Sequence, residues 1–280
     1  MDKTDSSDQV ATEMILSGIF VYPIKSLKGI KLTESKIENR GLQYDRRWML
    51  VDSANRFISQ REHPRLATIS VSLEPKGMKI VTGGTEALFV PYDGNGSNQL
   101  TVQIWNDVCN GVSVSDESDR WFSDLLGVQC RVVYMPDETR RPVDPEYAFN
   151  ADAVSFADGY PFLLTTEASL ADLNGRLEHS VAMDRFRPNF VVRGATAFSE
   201  DGWRSIAIGP TLFHVVKPCA RCVTTTIDQS LGVRDGDEPL KTLATFRRKN
   251  NDVIFGQNLT AASEGGVVQL GDRVQVIAPV

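Results

Sequence analysis

The sequence predicts an α+β fold that is mainly β, with a barrel or sandwich core carrying a few helices. Short runs of β-branched and aromatic residues recur along the chain, and turn signals separate them at close spacing. Helical periodicity holds in only a few segments. The 280 residues are 41% hydrophobic and 24% charged, a globular and not a disordered composition. At roughly 150 residues per domain, one large domain or two small ones are expected.

Residues 1–13 are polar and read as a disordered tail. Residues 14–22 (MILSGIFVY) read as a buried strand, and 46–60 (RRWMLVDSANRFISQ) as strand, turn and strand. Further strands are expected at 67–73, 78–81, 87–90 and 101–105, with a turn-rich spacer at 92–97. Residues 116–126 (DESDRWFSDLL) read as a helix: acidic residues fill the first turn, and Trp121, Phe122, Leu125 and Leu126 share one face. A second helix is expected at 166–177, with Leu170, Leu173 and Leu177 on a stripe. A third is expected to begin at Pro239, since proline suits the first helical position. The final stretch, GGVVQLGDRVQVIAPV, alternates apolar and polar residues about a Gly-Asp turn and reads as a hairpin. A composition shift across 137–145 (DETRRPVDP) marks the expected domain boundary.

Thirty basic against 36 acidic residues leave a net charge of −6, which argues against nucleic acid as the main partner. The N-terminus lacks the basic and apolar regions of a signal peptide, and no apolar run approaches the ~20 residues of a membrane helix. Four cysteines are too few for a disulfide scaffold. A cytoplasmic location with no membrane partner is the expectation.

Residues 215–228 (VVKPCARCVTTTID) pair Cys219 with Cys222. A structural zinc site needs four ligands, and Cys109, Cys130 and the three histidines are scattered. A thioredoxin-like site needs a helix after the cysteines, whereas Val-Thr-Thr-Thr-Ile favours strand, so no helix dipole is expected to lower a thiol pKa. Buried cysteines acting as small hydrophobes are the bland alternative. Other stretches weigh against it. YPIKSLKG places Lys25 and Ser26 at the end of the first strand, and YDRRW places Arg46 at the start of another. RFRPNFVV places Arg187 and Asn189 ahead of a third, with Pro188 expected to hold Arg187 extended so that both point one way. With Arg221, these donors suit a phosphate, and a thiolate suits a soft metal. The residues therefore point to an anionic, phosphate-bearing cofactor holding a metal.

YPIKSLKG, GLQYDRRWML, TEASLADLNGRL, FRPNFVV, PCARCVTTTID, EPLKTL and FGQNL occur in the order seen in MOSC-domain proteins. More closely, the chain resembles the mitochondrial amidoxime-reducing components and their bacterial relatives, from about Ile15 to the C-terminus. The resemblance implies a MOSC-type β-barrel at 138–280 and a smaller α/β N-terminal (MOSC_N) domain at 14–137, whose first part, about 14–47, is shared with the barrel. It implies a molybdenum cofactor (Mo-molybdopterin), and the family association also mentions pyridoxal phosphate. Cys222 matches the single cysteine that completes the metal's shell, while Cys219 falls to packing or support. Lys25, Ser26, Arg46, Gly159, Tyr160, Arg187, Asn189, Ala220, Arg221 and Asn258 match cofactor-contact positions. Gly159, Tyr160 and Asn258 depart from the residue types of the animal members. Asp228, after the threonine run, is a candidate hydrogen-bond acceptor or proton relay, against a solvated turn carboxylate as the bland and favoured alternative.

The implied reaction is reduction of a small N-hydroxylated compound, such as an amidoxime or hydroxylamine, to the N–H compound. Electrons would come from a separate donor protein carrying flavin, an iron–sulfur cluster or haem. No membrane anchor or ferredoxin module is expected in the chain. A non-catalytic cofactor carrier or sulfur-transfer MOSC protein is the alternative, and a binding protein with merely buried cysteines is a third reading.

Overall fold

The computed structural model describes residues 13–92, 96 and 98–280. The expected tail, apart from Glu13, and positions 93–95 and 97 of the expected spacer lie outside the described residues. Over the described residues the fold is mainly β, with three α-helices: α1 (Asp116–Leu126), α2 (Glu167–Asn174) and α3 (Leu240–Phe246). Among the described residues, no helix is long and apolar enough to cross a membrane.

Among the described residues the largest sheet has nine strands, of which short Arg248–Lys249 stands off the main path and pairs with Asp252–Ala261. Ile15–Val21 lies between Ile30–Leu32 and Phe190–Arg193. The order then continues through Phe162–Thr166, Asp252–Ala261, Thr211–Ala220, Trp203–Ile208 and Val274–Pro279. Backbone hydrogen bonds from Leu16 to Asp272 and from Val274 to Met14 join the last strand's entry to the first strand, closing the sheet into a barrel. Leu16, Ile19, Phe162, Leu164, Phe190 and Phe213 fill the interior, and the three phenylalanine rings meet at 5.3–5.6 Å between centroids. Edge and offset contacts of this kind add to what burial alone contributes. The parallel pair Phe162–Thr166 and Phe190–Arg193 is linked through α2, which Thr166 caps by accepting from the Ser169 N–H at 3.1 Å.

The N-terminal part carries a four-stranded sheet, in the order Trp48–Val51, Arg131–Tyr134, Asp107–Ser113 and Gln99–Ile104. A three-stranded meander runs through Ser70–Glu74, Gly77–Val81 and Leu88–Pro91. Helix α1 covers these elements with buried Phe122 and Leu126. It begins at the Ser115 cap, whose hydroxyl accepts from the Ser118 N–H at 3.1 Å, and it ends at Gly127, whose φ of 70° only glycine adopts freely. The two parts meet where Lys25 donates to the Trp48 carbonyl (2.8 Å) and Trp48 to that of Pro23 (3.0 Å). Ile15–Val21 belongs to the barrel sheet, although it precedes the N-terminal elements in the chain.

Two expected hairpins differ from the structure. The C-terminal segments Val267–Gln269 and Val274–Pro279 are joined by a tight turn but do not pair. The first pairs with Glu34–Glu38 and the second with Trp203–Ile208. Alternation fixes which face each segment buries and does not choose its partner, and here the turn is a corner between two sheets. In 46–60 the second strand shrinks to single bridges, because Arg56 and Phe57 divide their pairing between Val51 and Gln103. Pro239 sits at the cap of α3, one position before the first helical residue.

Candidate cofactor site

Strand register builds the floor of the site. Leu163, Asn258 and Lys217 stand in one row across three neighbouring strands. Asn189 enters the same level by donating its N–H to the Leu163 carbonyl at 2.8 Å. Along Thr211–Ala220 the pairing shifts between Val215 and Lys217 and again between Pro218 and Ala220. Such bulges re-aim side chains, and Pro218 has no N–H for the ladder. They deliver the Cys219–Cys222 segment into a cavity of ≈ 310 Å³.

Lys25, Ser26, Arg46, Gly159, Tyr160, Arg187, Asn189, Ala220, Arg221, Cys222 and Asn258 all line this cavity. They come from segments up to 233 positions apart in the chain (258 − 25). Asp228 does not line it. One of its carboxylate oxygens accepts from the Ser230 N–H and hydroxyl and from the Leu231 N–H, closing its own turn. The other accepts from Arg185 at 3.2 Å, so Asp228 reaches the cavity only through that arginine. Asn189 lines the wall, but its amide is committed to the barrel. Its oxygen accepts from Leu163 and Arg46, and its nitrogen donates to the Phe20 carbonyl.

The cationic wall is built around Tyr22. Its buried ring lies between the guanidinium groups of Arg46 and Arg187, each 4.2 Å from the ring centroid. The ring lets two like charges share one wall. Arg46 is held by Asp45 (2.6 Å) and by the Arg187 carbonyl (3.2 Å). Among the described residues Arg187 has no such counter-ion: both its Nη atoms are buried without a hydrogen-bond partner, as are Nε of Arg221 and Nη1 of Arg185. Burial pushes the Arg187 guanidinium down to about 10. Tyr22 is pushed up to about 12, also chiefly by burial. Buried donors left open in this way mark a place for an anion.

Arg187 is not extended. It has φ 52° and ψ 47° and closes the 3-10 turn Met183–Phe186. The ring of Pro188 disfavours the right-handed helical region before it, and the left-handed region satisfies both constraints. Ser26 (φ 73°) and Arg46 (φ 50°) are also left-handed. For residues with a Cβ this conformation costs roughly 1–2 kcal/mol each, the kind of local strain that collects at binding sites.

Cys222 opens the second half of the site. The threonine run expected as strand forms a single 3-10 turn, Val223–Thr226, with Cys222 at its N-cap. Thr225 and Thr226 donate their hydroxyls to the carbonyls of Cys222 and Val223 at 3.0 and 2.8 Å, local bonds that compete with a strand ladder. Arg61 donates from Nη2 to the Cys222 sulfur at 3.1 Å, and Thr224 Oγ1 stands 3.4 Å from it. Burial alone would raise this thiol. The Arg61 contact, with the Thr224 hydroxyl and N–H, outweighs it and lowers the pKa, against the sequence expectation. Cys219 lines the same cavity, and its sulfur accepts from Arg221 Nη1 at 2.9 Å.

At the rim, Lys25 is paired with Asp158 at 2.5 Å, and Trp105 donates its indole N–H to the same carboxylate oxygen at 3.1 Å. Burial lowers Lys25. Partial desolvation at the cavity mouth raises the largely exposed Asp158, but Lys25 and Trp105 outweigh it and hold the carboxyl well below its usual range. Sequence reasoning missed Arg61, Trp105, Asp158, Arg185 and Lys217. Lys217 and Arg185 sat inside stretches already singled out. Arg61 lies in an ordinary polar turn, with no pattern linking it to a cysteine 161 positions away.

Comparison with known proteins follows the same lines. The MOSC N-terminal beta barrel domain matches residues 13–129 and the MOSC domain matches residues 151–275. Barrel and cavity thus sit in a MOSC-domain protein. The chain is 32% identical to mouse mitochondrial amidoxime-reducing component 1, over 92% of this chain and 81% of that protein. It is 35% identical to rat mitochondrial amidoxime reducing component 2, over 92% and 82%. With the human component 1 it shares 30% identity over 92% and 82%. The chain belongs to the MOSC-domain family that contains the mitochondrial amidoxime-reducing components.

Proposed function

We propose that the chain is a molybdenum-cofactor-dependent reductase of N-hydroxylated compounds. The observation that carries this is the sharing of one cavity by a thiol of lowered pKa, Cys222, and the open buried donors of Arg187, Arg221 and Arg185. That donor set fits the group: a thiolate for a soft metal, and guanidinium forks for a phosphate. When bound, the cofactor supplies a two-electron redox centre.

The chain's own residues do the rest. Cys222 offers the sulfur ligand, and Arg61 fixes that sulfur's direction. Arg187, Arg221 and Arg185 meet the phosphate end, while Arg46 and Tyr22 brace Arg187. Lys25 and Ser26 take the pterin side of the wall, and Gly159, Tyr160, Ala220 and Asn258 shape the remainder. The net reaction consumes two electrons and two protons, converting R–NHOH to R–NH2 and water. A separate flavin, iron–sulfur or haem protein supplies the electrons. All four cysteines are free thiols, as a reducing compartment such as the cytoplasm keeps them.

The test is metal and pterin analysis of protein made in a cofactor-producing host, followed by benzamidoxime reduction with a viologen donor. Stoichiometric molybdenum and turnover, both lost in Cys222→Ala, are expected. Full cofactor content without turnover makes the chain a carrier, and molybdenum retained by Cys222→Ala removes the ligand assignment.

A further inference from the structure

Arg61 and Trp105 belong to the N-terminal part, yet together they reach the sulfur of a barrel residue. Arg61 donates from Nη2 to Cys222 Sγ at 3.1 Å, and its guanidinium carbon lies 4.1 Å from the centroid of the Trp105 ring. That ring is fixed from several sides. Its indole N–H donates to Asp158 at 3.1 Å, and Phe57 meets it edge-on at 4.8 Å. Its backbone turns the two-residue hairpin between Gln99–Ile104 and Asp107–Ser113, where Trp105 has φ 55°. Asn, Asp and Gly take this left-handed conformation readily, whereas a tryptophan is strained in it. Strain of this kind collects where a site needs the side chain held in one place.

We propose that Trp105 and Arg61 act as one positioning unit that sets how much negative charge the Cys222 sulfur carries, and through it the reduction potential of the metal centre. The inference rests on the reductase reading and adds a control on that same site. A hydrogen bond into a metal-ligating thiolate draws electron density from the sulfur, so the sulfur donates less to the metal. The reduced state is then favoured and the potential rises, as with hydrogen bonds to the sulfurs of iron–sulfur clusters. Among the described residues, Arg61 is the one charged donor to this sulfur, and the Thr224 hydroxyl at 3.4 Å is the longer contact. Such a bond weakens steeply as its geometry opens, and a free arginine side chain has many rotamers. Stacking on a fixed indole face removes that freedom. Asp158, which orients the indole, lines the same cavity as Cys222, so the unit is anchored at the site it serves.

An EPR-monitored redox titration of the holoprotein tests the proposal. Arg61→Gln should lower the midpoint potential by about 59 mV, a tenfold change in a one-electron equilibrium. Trp105→Asn should lower it in the same direction, and asparagine suits the turn, so the hairpin is kept. Trp105→Phe leaves a ring face for Arg61 and should recover most of the potential. Arg56→Gln removes an exposed charge from the same wall and should leave it unchanged. The double variant Arg61→Gln/Trp105→Asn should shift no further than Arg61→Gln alone, as two members of one unit do. Potentials of Arg61→Gln and Trp105→Asn that match the parent overturn the proposal, as do additive shifts in the double variant.

A second readout needs no cofactor. In metal-free protein, alkylation of Cys222 by iodoacetamide should slow by about threefold in both Arg61→Gln and Trp105→Asn, because less of the sulfur is thiolate. If the purified protein holds no molybdenum, the reductase reading falls and this rate decides alone. Slowing in both variants keeps the unit and its hold on the sulfur's charge, and an unchanged rate in Trp105→Asn removes it.

Discussion

Replacing Arg187 by alanine should move two quantities in opposite directions. In the folded chain without its cofactor, the guanidinium is held at about 10 in place of its ordinary 12.5. At about 1.36 kcal/mol per pH unit, that charge costs the fold about 3 kcal/mol. The cation–π contact with Tyr22, 4.2 Å away, returns about 1 kcal/mol of it. The cofactor-free Arg187→Ala protein should therefore be about 2 kcal/mol more stable at pH 7, before any cost of the space left beside Tyr22. With about 2–4 °C per kcal/mol for a chain of this size, its melting temperature should hold or rise by a few degrees. The same change removes both open Nη donors from the phosphate end. Hydrogen bonds to charged groups are worth about 1.5–3 kcal/mol each, so cofactor affinity should fall at least a hundredfold. The assays are a thermal melt of cofactor-free protein and molybdenum content by mass spectrometry after expression in a cofactor-producing host. A lower melting temperature together with undiminished molybdenum would refute the reasoning, because Arg187 would then be a structural residue.

Other outcomes follow from the same geometry. In metal-free protein at pH 7, Cys222 should be alkylated by iodoacetamide faster than Cys109 or Cys130, both raised by burial, and Arg61→Gln should slow it; peptide mass spectrometry reads all three sites. Asp158 has a depressed folded pKa, so its ion pair with Lys25 contributes stability above the unfolded value near ~3.9 and loses it as pH falls further. The melting-temperature difference between the parent and Asp158→Asn should thus shrink between about pH 5 and pH 3. Because the Asp158 side chain is 70% exposed, the whole effect should stay under about 1 kcal/mol. Phe162→Ala opens the aromatic cluster of the barrel core and should cost about 3–5 kcal/mol in urea unfolding, with little change in the denaturant slope.

Local chemistry was legible in the sequence wherever local chemistry decides. The ends of α1 follow from Ser115 and Gly127, and its buried face from the spacing of Phe122 and Leu126. The convergence of the cationic residues on one cavity was legible because charged side chains at strand ends must find either water or a ligand, and the motifs named which of them to look for. Partner choice was not legible. The alternation in 267–279 is real, yet its two strands pair with residues 34–38 and 203–208, set by barrel closure. The threonine run carried β-branched residues, and its hydroxyls turned the backbone instead. Arg61 was invisible because its importance comes from a contact between distant segments and from no pattern near it. For Asp228, two positions after the threonine run, the turn-carboxylate alternative describes one oxygen, while the other reaches the cavity only through Arg185.

The contact between Arg61 and the Cys222 sulfur has a bearing on how such chains can be cut and recombined. The barrel supplies the sulfur, but the hand resting on it belongs to the other half of the molecule. A fragment beginning near residue 138 would also lack Ile15–Val21, and with it one stave of the barrel wall. Any shorter protein built around the same cysteine has to recruit a replacement for both, and chimaeras joined at that seam inherit the mismatch at this sulfur first.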